Sequence, residues 1–285
     1  MEEIYLTSSV DVIIRFNQNI IFGCYYYDAV LDDRMGKIIV FDPETNSIIK
    51  EIITTGTLSL YTDNKFIYAA NSNNIEIFDQ NFNSIFKIIT NAINTYMDIY
   101  ENILIISNIH GEFQFLNLIN KSMNTIQVSK DPIWIIKIKD DIIYYGTEGG
   151  IFGSYSITNN TSTTICNTRL GIIDILIIDN YIYVSSYDNN IQIYNINENN
   201  IILFKTIPNV GQLWKIIYYT YQEKQYFICA DIHEGLKIFD INFQLLSFFP
   251  TKSLCYGLCI YNNYLYYSSF YENMVIKQLF NNCNS

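Results

Sequence analysis

Basic charge is scarce in this 285-residue chain, where 17 Lys and Arg stand against 28 Asp and Glu and leave a formal net charge of −11. That balance repels a phosphate backbone, which excludes nucleic acid as a partner class. Histidine and tryptophan are rarer still, with two of each. So few imidazoles weigh against a histidine-built metal centre. The six cysteines (24, 166, 229, 255, 259 and 283) form no C-x-x-C pair, so neither a zinc site nor a disulfide framework is indicated, and the expected setting is reducing. The N-terminal MEEIYLTSSVDV lacks the basic start and apolar stretch of a signal peptide, and no apolar run is long enough to span a membrane. The expectation is a soluble, cytoplasmic chain without membrane association. Catalytic signatures are missing too: there is no G-x-S-x-G elbow, P-loop, G-x-G-x-x-G or H-E-x-x-H. No cofactor and no metal are implied.

What is present is strand-forming. The chain holds 25 Tyr and 18 Phe among abundant Ile, side chains that suit a pleated, half-buried surface. One short strand recurs seven times: GKIIVFD (36–42), NIEIFD (74–79), GEFQFLN (111–117), GIFGSY (150–155), NIQIYN (190–195), GLKIFD (235–240) and NMVIKQ (273–278). The copies step by roughly 37 to 45 residues, the spacing of a propeller blade. Each is preceded by a strand ending in small or polar residues, such as FIYAANS, ILIISN or YIYVSS. A further apolar strand lies upstream, clearest in IWIIKI (133–138), IIDILII (172–178), LWKIIYY (213–219) and CYGLCIY (255–261). The reading is an all-β, seven-bladed propeller of the WD-repeat kind, one domain over 1–285 and a monomer. Blade seven runs out of chain after its third strand, and EIYLTSS (3–9) is expected to fill the open edge and close the ring.

The loops between second and third strands, the longest of them CYYYDAVLDDRMG (24–36), share one face with the starts of the first strands, which line the central channel. Both histidines, His110 and His233, fall in these loops. His233 can be read as a general base oriented by Asp231 or Glu234, or as a turn residue that bonds backbone groups. Asp188 in SYDNN is either a catalytic carboxylate or the holder of its own turn. Trp134 and Trp214 open the inner strands of blades four and six, as binding platforms or as core fillers. Cys255 and Cys259, four apart on one strand, read as inert core thiols, and Asp42, Asp79 and Asp240 as structural strand-end residues.

Longer strings carry a resemblance. IIFGCYYYDAVLDDRMGKIIVFD in blade one, VSSYDNNIQIYN in blade five, GQLWKIIYY and CADIHEGLKIFD in blade six, and LCYGLCIYNNYLYYSSFYEN in blade seven are similar to the WD-repeat diphthine methyl ester hydrolases. Two departures stand out: Gly146, Thr147, Glu148 and Gly149 replace the family's Gly-Gly-Asp-Asp, and Glu272 with Asn273 replaces its Asp-His. The resemblance implies hydrolysis of the methyl ester of a modified histidine on translation elongation factor 2, giving diphthine and methanol. The substrate's trimethylammonium then calls for aromatic faces, assigned to Trp134, Trp214, Tyr187, Tyr256, Phe270 and Tyr271, with Glu148, Asp188 and Glu272 as a negative rim. His233, with Asp231 beside it, activates water. A non-catalytic WD-repeat scaffold is the alternative that fold alone would suggest.

Overall fold

The computed structural model describes residues 1–30, 32–197 and 200–280; Cys283 lies outside the described residues. Seven four-stranded antiparallel sheets, arranged as the blades of a β-propeller, account for nearly all of it. The chain falls into two compact units. One comprises residues 1–94, 230–237 and 246–285, and the other 95–229 and 238–245.

In the first unit, blade one is built from Val10–Phe16, Asn19–Asp28, Asp33–Asp42 and Ser47–Thr54, and blade two from Thr57–Thr62, Ile67–Asn71, Asn74–Phe78 and Ser84–Ile89. Blade seven contributes Leu258–Tyr261, Tyr264–Ser269 and Met274–Leu279. Its outer place is taken by the N-terminal strand Glu2–Tyr5, with Glu2 opposite Lys277 and Tyr5 opposite Met274. The middle strands are packed on both faces, so Ile67–Asn71 and Asn74–Phe78 are buried at every position. Outer strands such as Ser84–Ile89 alternate between half-buried and exposed, the two-residue period of a sheet with one wet face. Ile4 is buried with Val10, Phe22, Phe41 and Tyr266 in the core between blades seven and one. Ile4→Ala is therefore expected to cost about 2–4 kcal/mol, read as a lower urea midpoint at unchanged m-value.

The second unit holds blades three (Asn94–Tyr100, Ile103–Asn108, Glu112–Asn117, Met123–Gln127), four (Ile133–Lys139, Ile142–Thr147, Ile151–Ser156, Thr161–Asn167) and five (Ile172–Ile178, Tyr181–Ser186, Ile191–Asn197, Asn200–Ile207). Phe113 is fully buried there, edge-on to both Tyr145 and Tyr155. Blade six is the sheet of Leu213–Tyr221, Lys224–Asp231, Gly235–Asp240 and Leu245–Pro250.

Asp42, Asp79 and Asp240 at the ends of third strands are structural, as the repeat suggests. Asp79 accepts from the backbone N–H of Asn81 and Asn83, and Asp240 from those of Asn242 and Gln244. Three details differ from the sequence reading. The stretch 24–36 is not a loop but a hairpin extension, with Tyr25 opposite Gly36 and Asp28 opposite Asp33. Cys255 and Cys259 do not share a strand, because the first strand of blade seven begins at Leu258. Phe270–Glu272 forms a single 3₁₀ turn closed by Asn273 in the left-handed region. Burial pushes the Cys259 thiol up to about 12 and raises Cys255 as well, so neither is a nucleophile.

Candidate functional site

In the first unit, the loop bearing His233 is tied to the turn bearing Phe270. Cys255 N donates to Ile232 O at 3.0 Å and Thr251 N to Glu234 O at 3.3 Å, while Phe270 N reaches Leu254 O at 2.8 Å and Tyr271 N reaches Ser253 Oγ at 3.0 Å. Gly235 makes the tight exit of the histidine loop possible: its φ is +116°, and a Cβ there would meet Phe249 O at 2.5 Å. Of the residues singled out from the sequence, His233, Asp231, Tyr256, Phe270, Tyr271 and Glu272 are thus gathered around one set of backbone links.

Phe270 is the hub of the aromatic group. It is buried, and three rings surround it: Tyr256 at 5.2 Å, Tyr271 at 5.3 Å and Tyr25 at 5.3 Å between centroids. Tyr256 and Tyr271 stand edge-on to it and Tyr25 is tilted, and packing of this kind fixes ring orientation. Phe270 therefore supports the faces of its neighbours rather than presenting one, while Tyr271 is exposed and Tyr25 and Tyr256 half-buried. Tyr25 escaped the sequence reading because 24–36 looked like a loop; as a strand residue it is held in a fixed position.

Asp231 is not free to orient His233. Its Oδ1 accepts the backbone N–H of His233 and of Glu234, both at 3.1 Å, and its Oδ2 takes the Lys237 ammonium at 2.8 Å. The His233 side chain is exposed and its imidazole has no hydrogen-bond partner among the described residues. A carboxyl of another kind lies nearby. Asp11 sits at an irregularity between Val10 and Val12 in the first strand of blade one, a bulge that turns its side chain out of the two-residue alternation. It is 7% exposed, and its carboxyl has no hydrogen-bond partner among the described residues. Burial pushes its pKa up to about 8, and its charge in turn helps raise that of Tyr25, where burial is the larger cause.

In the second unit, Trp134 occupies the same kind of irregularity, between Ile133 and Ile135. Its indole N–H donates to a Glu148 carboxylate oxygen. Burial and, secondarily, the Glu148 charge push the Tyr187 phenol up to about 12. Trp134, Glu148 and Tyr187 therefore form one group. Asp188 caps its own turn by accepting the Asn190 N–H at 3.1 Å, which is the structural one of its two readings. Trp214 is half-buried at the start of its strand.

The sequence reading missed a polar network on the first strands of this unit. Tyr96 Oη receives Lys137 Nζ at 3.0 Å and Lys215 Nζ at 3.1 Å, and both ammonium groups also lie against its ring. Lys215 Nζ stands 3.9 Å from Asp174 Oδ1, a buried atom with no hydrogen-bond partner among the described residues, while Asp174 Oδ2 accepts Ile216 N–H at 2.7 Å. A lone Asp or Lys inside the apolar strings IIDILII and IWIIKI was the available signal.

Among the described residues no cluster of His, Cys, Asp and Glu could hold a metal ion, and no helix is long and apolar enough to cross a membrane. The fold places the chain in the class of seven-bladed β-propellers. Neither a protein-family model nor a curated protein matches the sequence. Among solved structures the chain is similar to the computationally designed Ika8 protein, with a TM-score of 0.69 at 10% identity over 96% of this chain and 97% of that one. At that identity the likeness concerns fold alone.

Proposed function

We propose that the chain is a carboxylic ester hydrolase acting on the methyl ester of diphthine methyl ester on translation elongation factor 2, yielding diphthine and methanol. The observation that carries this reading is the aromatic group of Tyr25, Tyr256 and Tyr271 held around Phe270, in the same unit as the exposed imidazole of His233. A trimethylammonium is attracted to such faces, each contact contributing about 0.5–2 kcal/mol according to desolvation. The ester, a few bonds from that cation, then lies within reach of a water that His233 deprotonates. With Asp231 committed to Lys237, the substrate itself has to orient the imidazole.

A non-catalytic interaction role is favoured by that same commitment of Asp231, which leaves His233 without an orienting carboxylate. The two readings separate when the purified chain is incubated with elongation factor 2 carrying the methylated intermediate and mass spectrometry follows the ester methyl. Loss of the methyl supports the hydrolase, whereas binding without loss removes it. His233→Ala is expected to lower kcat by at least about 10²-fold with little change in KM. An unchanged kcat excludes His233 as the base.

A further inference from the structure

The buried Asp11 carboxyl has no part in the reading above. It sits at the bulge that opens the first strand of blade one. The first strands of blades two, four and five open on the same irregularity, and there Leu58, Trp134 and Ile173 occupy it. The bulge itself therefore does not call for a carboxylate. Nor does Asp11 hold a turn: Asp79, Asp231 and Asp240 each accept backbone N–H groups, whereas its carboxyl accepts from no described residue. The four basic residues of blade one are engaged elsewhere, Arg15 over the Tyr261 ring, Arg34 over that of Tyr27, Lys37 with Glu51 and Lys50 with the carbonyls of Asn81 and Phe82. On the blade-seven side Lys252 and Lys277 face Glu3 and Glu2. A carboxylate that is 7% exposed and has neither donor nor counter-ion costs stability unless something outside the chain pairs with it.

Backbone geometry places Asp11 beside the aromatic group. Tyr25 N–H donates at 3.1 Å to the carbonyl of Ser9, two residues before Asp11, and a Cβ on Gly257, the residue after Tyr256, would stand 3.4 Å from Asp11 O. Asp11 thus neighbours both the strand of Tyr25 and the segment of Tyr256, whose rings pack on Phe270 at 5.3 and 5.2 Å. Its charge reaches the Tyr25 phenol. Aromatic faces attract a cation through their quadrupole and accept its methyl groups. What they lack is a full negative charge, and Asp11 supplies it. We infer that the Asp11 carboxylate is the counter-charge of a methylated-ammonium site whose faces are Tyr25, Tyr256 and Tyr271, so that the site selects its ligand by charge and not by shape alone. This rests on the cation site of the reading above and on none of its ester chemistry. Burial pushes the carboxyl up to about 8, so the empty site holds it largely as the acid at neutral pH, and an entering cation favours the carboxylate.

The test titrates the full chain and Asp11→Asn with choline and with its uncharged carbon isostere, 3,3-dimethylbutanol, by isothermal calorimetry above about pH 8, where the carboxyl is ionised. The wild-type protein is expected to bind choline at least about tenfold more tightly than the isostere, and Asp11→Asn to bind the two with similar affinity. Equal binding of both by the wild type overturns the inference, as does an absence of choline binding. An Asp11→Asn variant that keeps the wild-type preference overturns it too, and so does one that loses both ligands to the same degree, which would mark a packing effect. The wild-type comparison needs no variant, so the inference stays open to refutation even if Asp11→Asn fails to fold. Choline carries no ester. Methyl release from elongation factor 2 without a preference for choline therefore removes this inference and leaves the hydrolase reading, and a preference without methyl release does the reverse.

Discussion

Asp11→Asn is expected to make the protein more stable at pH 8 by several kcal/mol, while leaving it nearly unchanged at pH 3. The wild-type carboxyl is buried and its pKa is pushed from 3.8 up to about 8 in the folded state. Between those values the unfolded chain has released the proton and the folded one retains it, so stability is full below about pH 4 and falls as pH rises towards 8. A displacement of that size corresponds to a ceiling on the order of 5 kcal/mol. Asparagine has the same shape and no titration, so this contribution is absent from its stability curve over the same window. Urea midpoints at several pH values decide the matter: parallel curves for the two proteins would mean that Asp11 ionises normally. A group this unfavourable at neutral pH has a physical meaning beyond stability, since strongly displaced carboxyls concentrate at functional sites. As a neutral acid beside Tyr25, Asp11 is also able to donate a hydrogen bond to a developing oxyanion.

Lys237→Met is expected to destabilise the protein by about 3–5 kcal/mol, because it strands the Asp231 carboxylate in the interior. Asp231 is 2% exposed and its Oδ2 lies 2.8 Å from Lys237 Nζ. The second partner of the lysine, Glu234, is largely exposed and adds little. Burial tends to lower the Lys237 pKa, but Asp231 and Glu234 outweigh it and the value is raised. This contribution to stability is therefore complete below the unfolded value of 10.5 and is lost only as pH climbs past it. Adding Asp231→Asn to Lys237→Met should restore most of the loss, and a double variant no better than the single one would show that packing of the lysine stem dominates. Both are read from chemical denaturation.

Much of this architecture is legible from the chain because two periods coincide in it. Alternation within each short strand and the recurrence of GLKIFD-like strings place six of the seven third strands within two residues at both ends, and the first begins three residues before its string, at Asp33. The terminal strand Glu2–Tyr5 was legible because blade seven lacked an outer strand. The candidate site was less so, for a geometric reason. At a bulge the two-residue alternation slips, so Asp11 and Trp134 point where counting along the strand does not put them. Tyr25 was hidden because DAVLDD reads as a loop while the flanking tyrosines pair as strands. The Tyr96 network joins residues from four separate strands, none notable alone, and only the positions of those strands bring them together.

The pairing of Glu2–Tyr5 with Met274–Lys277 also sets an order of events during synthesis. Glu2–Tyr5 cannot find its partner strand until the more than two hundred and fifty residues between them have followed it out of the ribosome. Contacts this distant in sequence are the slow ones in folding, so Ile4 remains solvent-exposed while the earlier blades assemble. Until then the third strand of blade seven keeps a bare edge, and at high concentration a second molecule's N-terminal strand can occupy it, which is the route by which such chains exchange segments and dimerise.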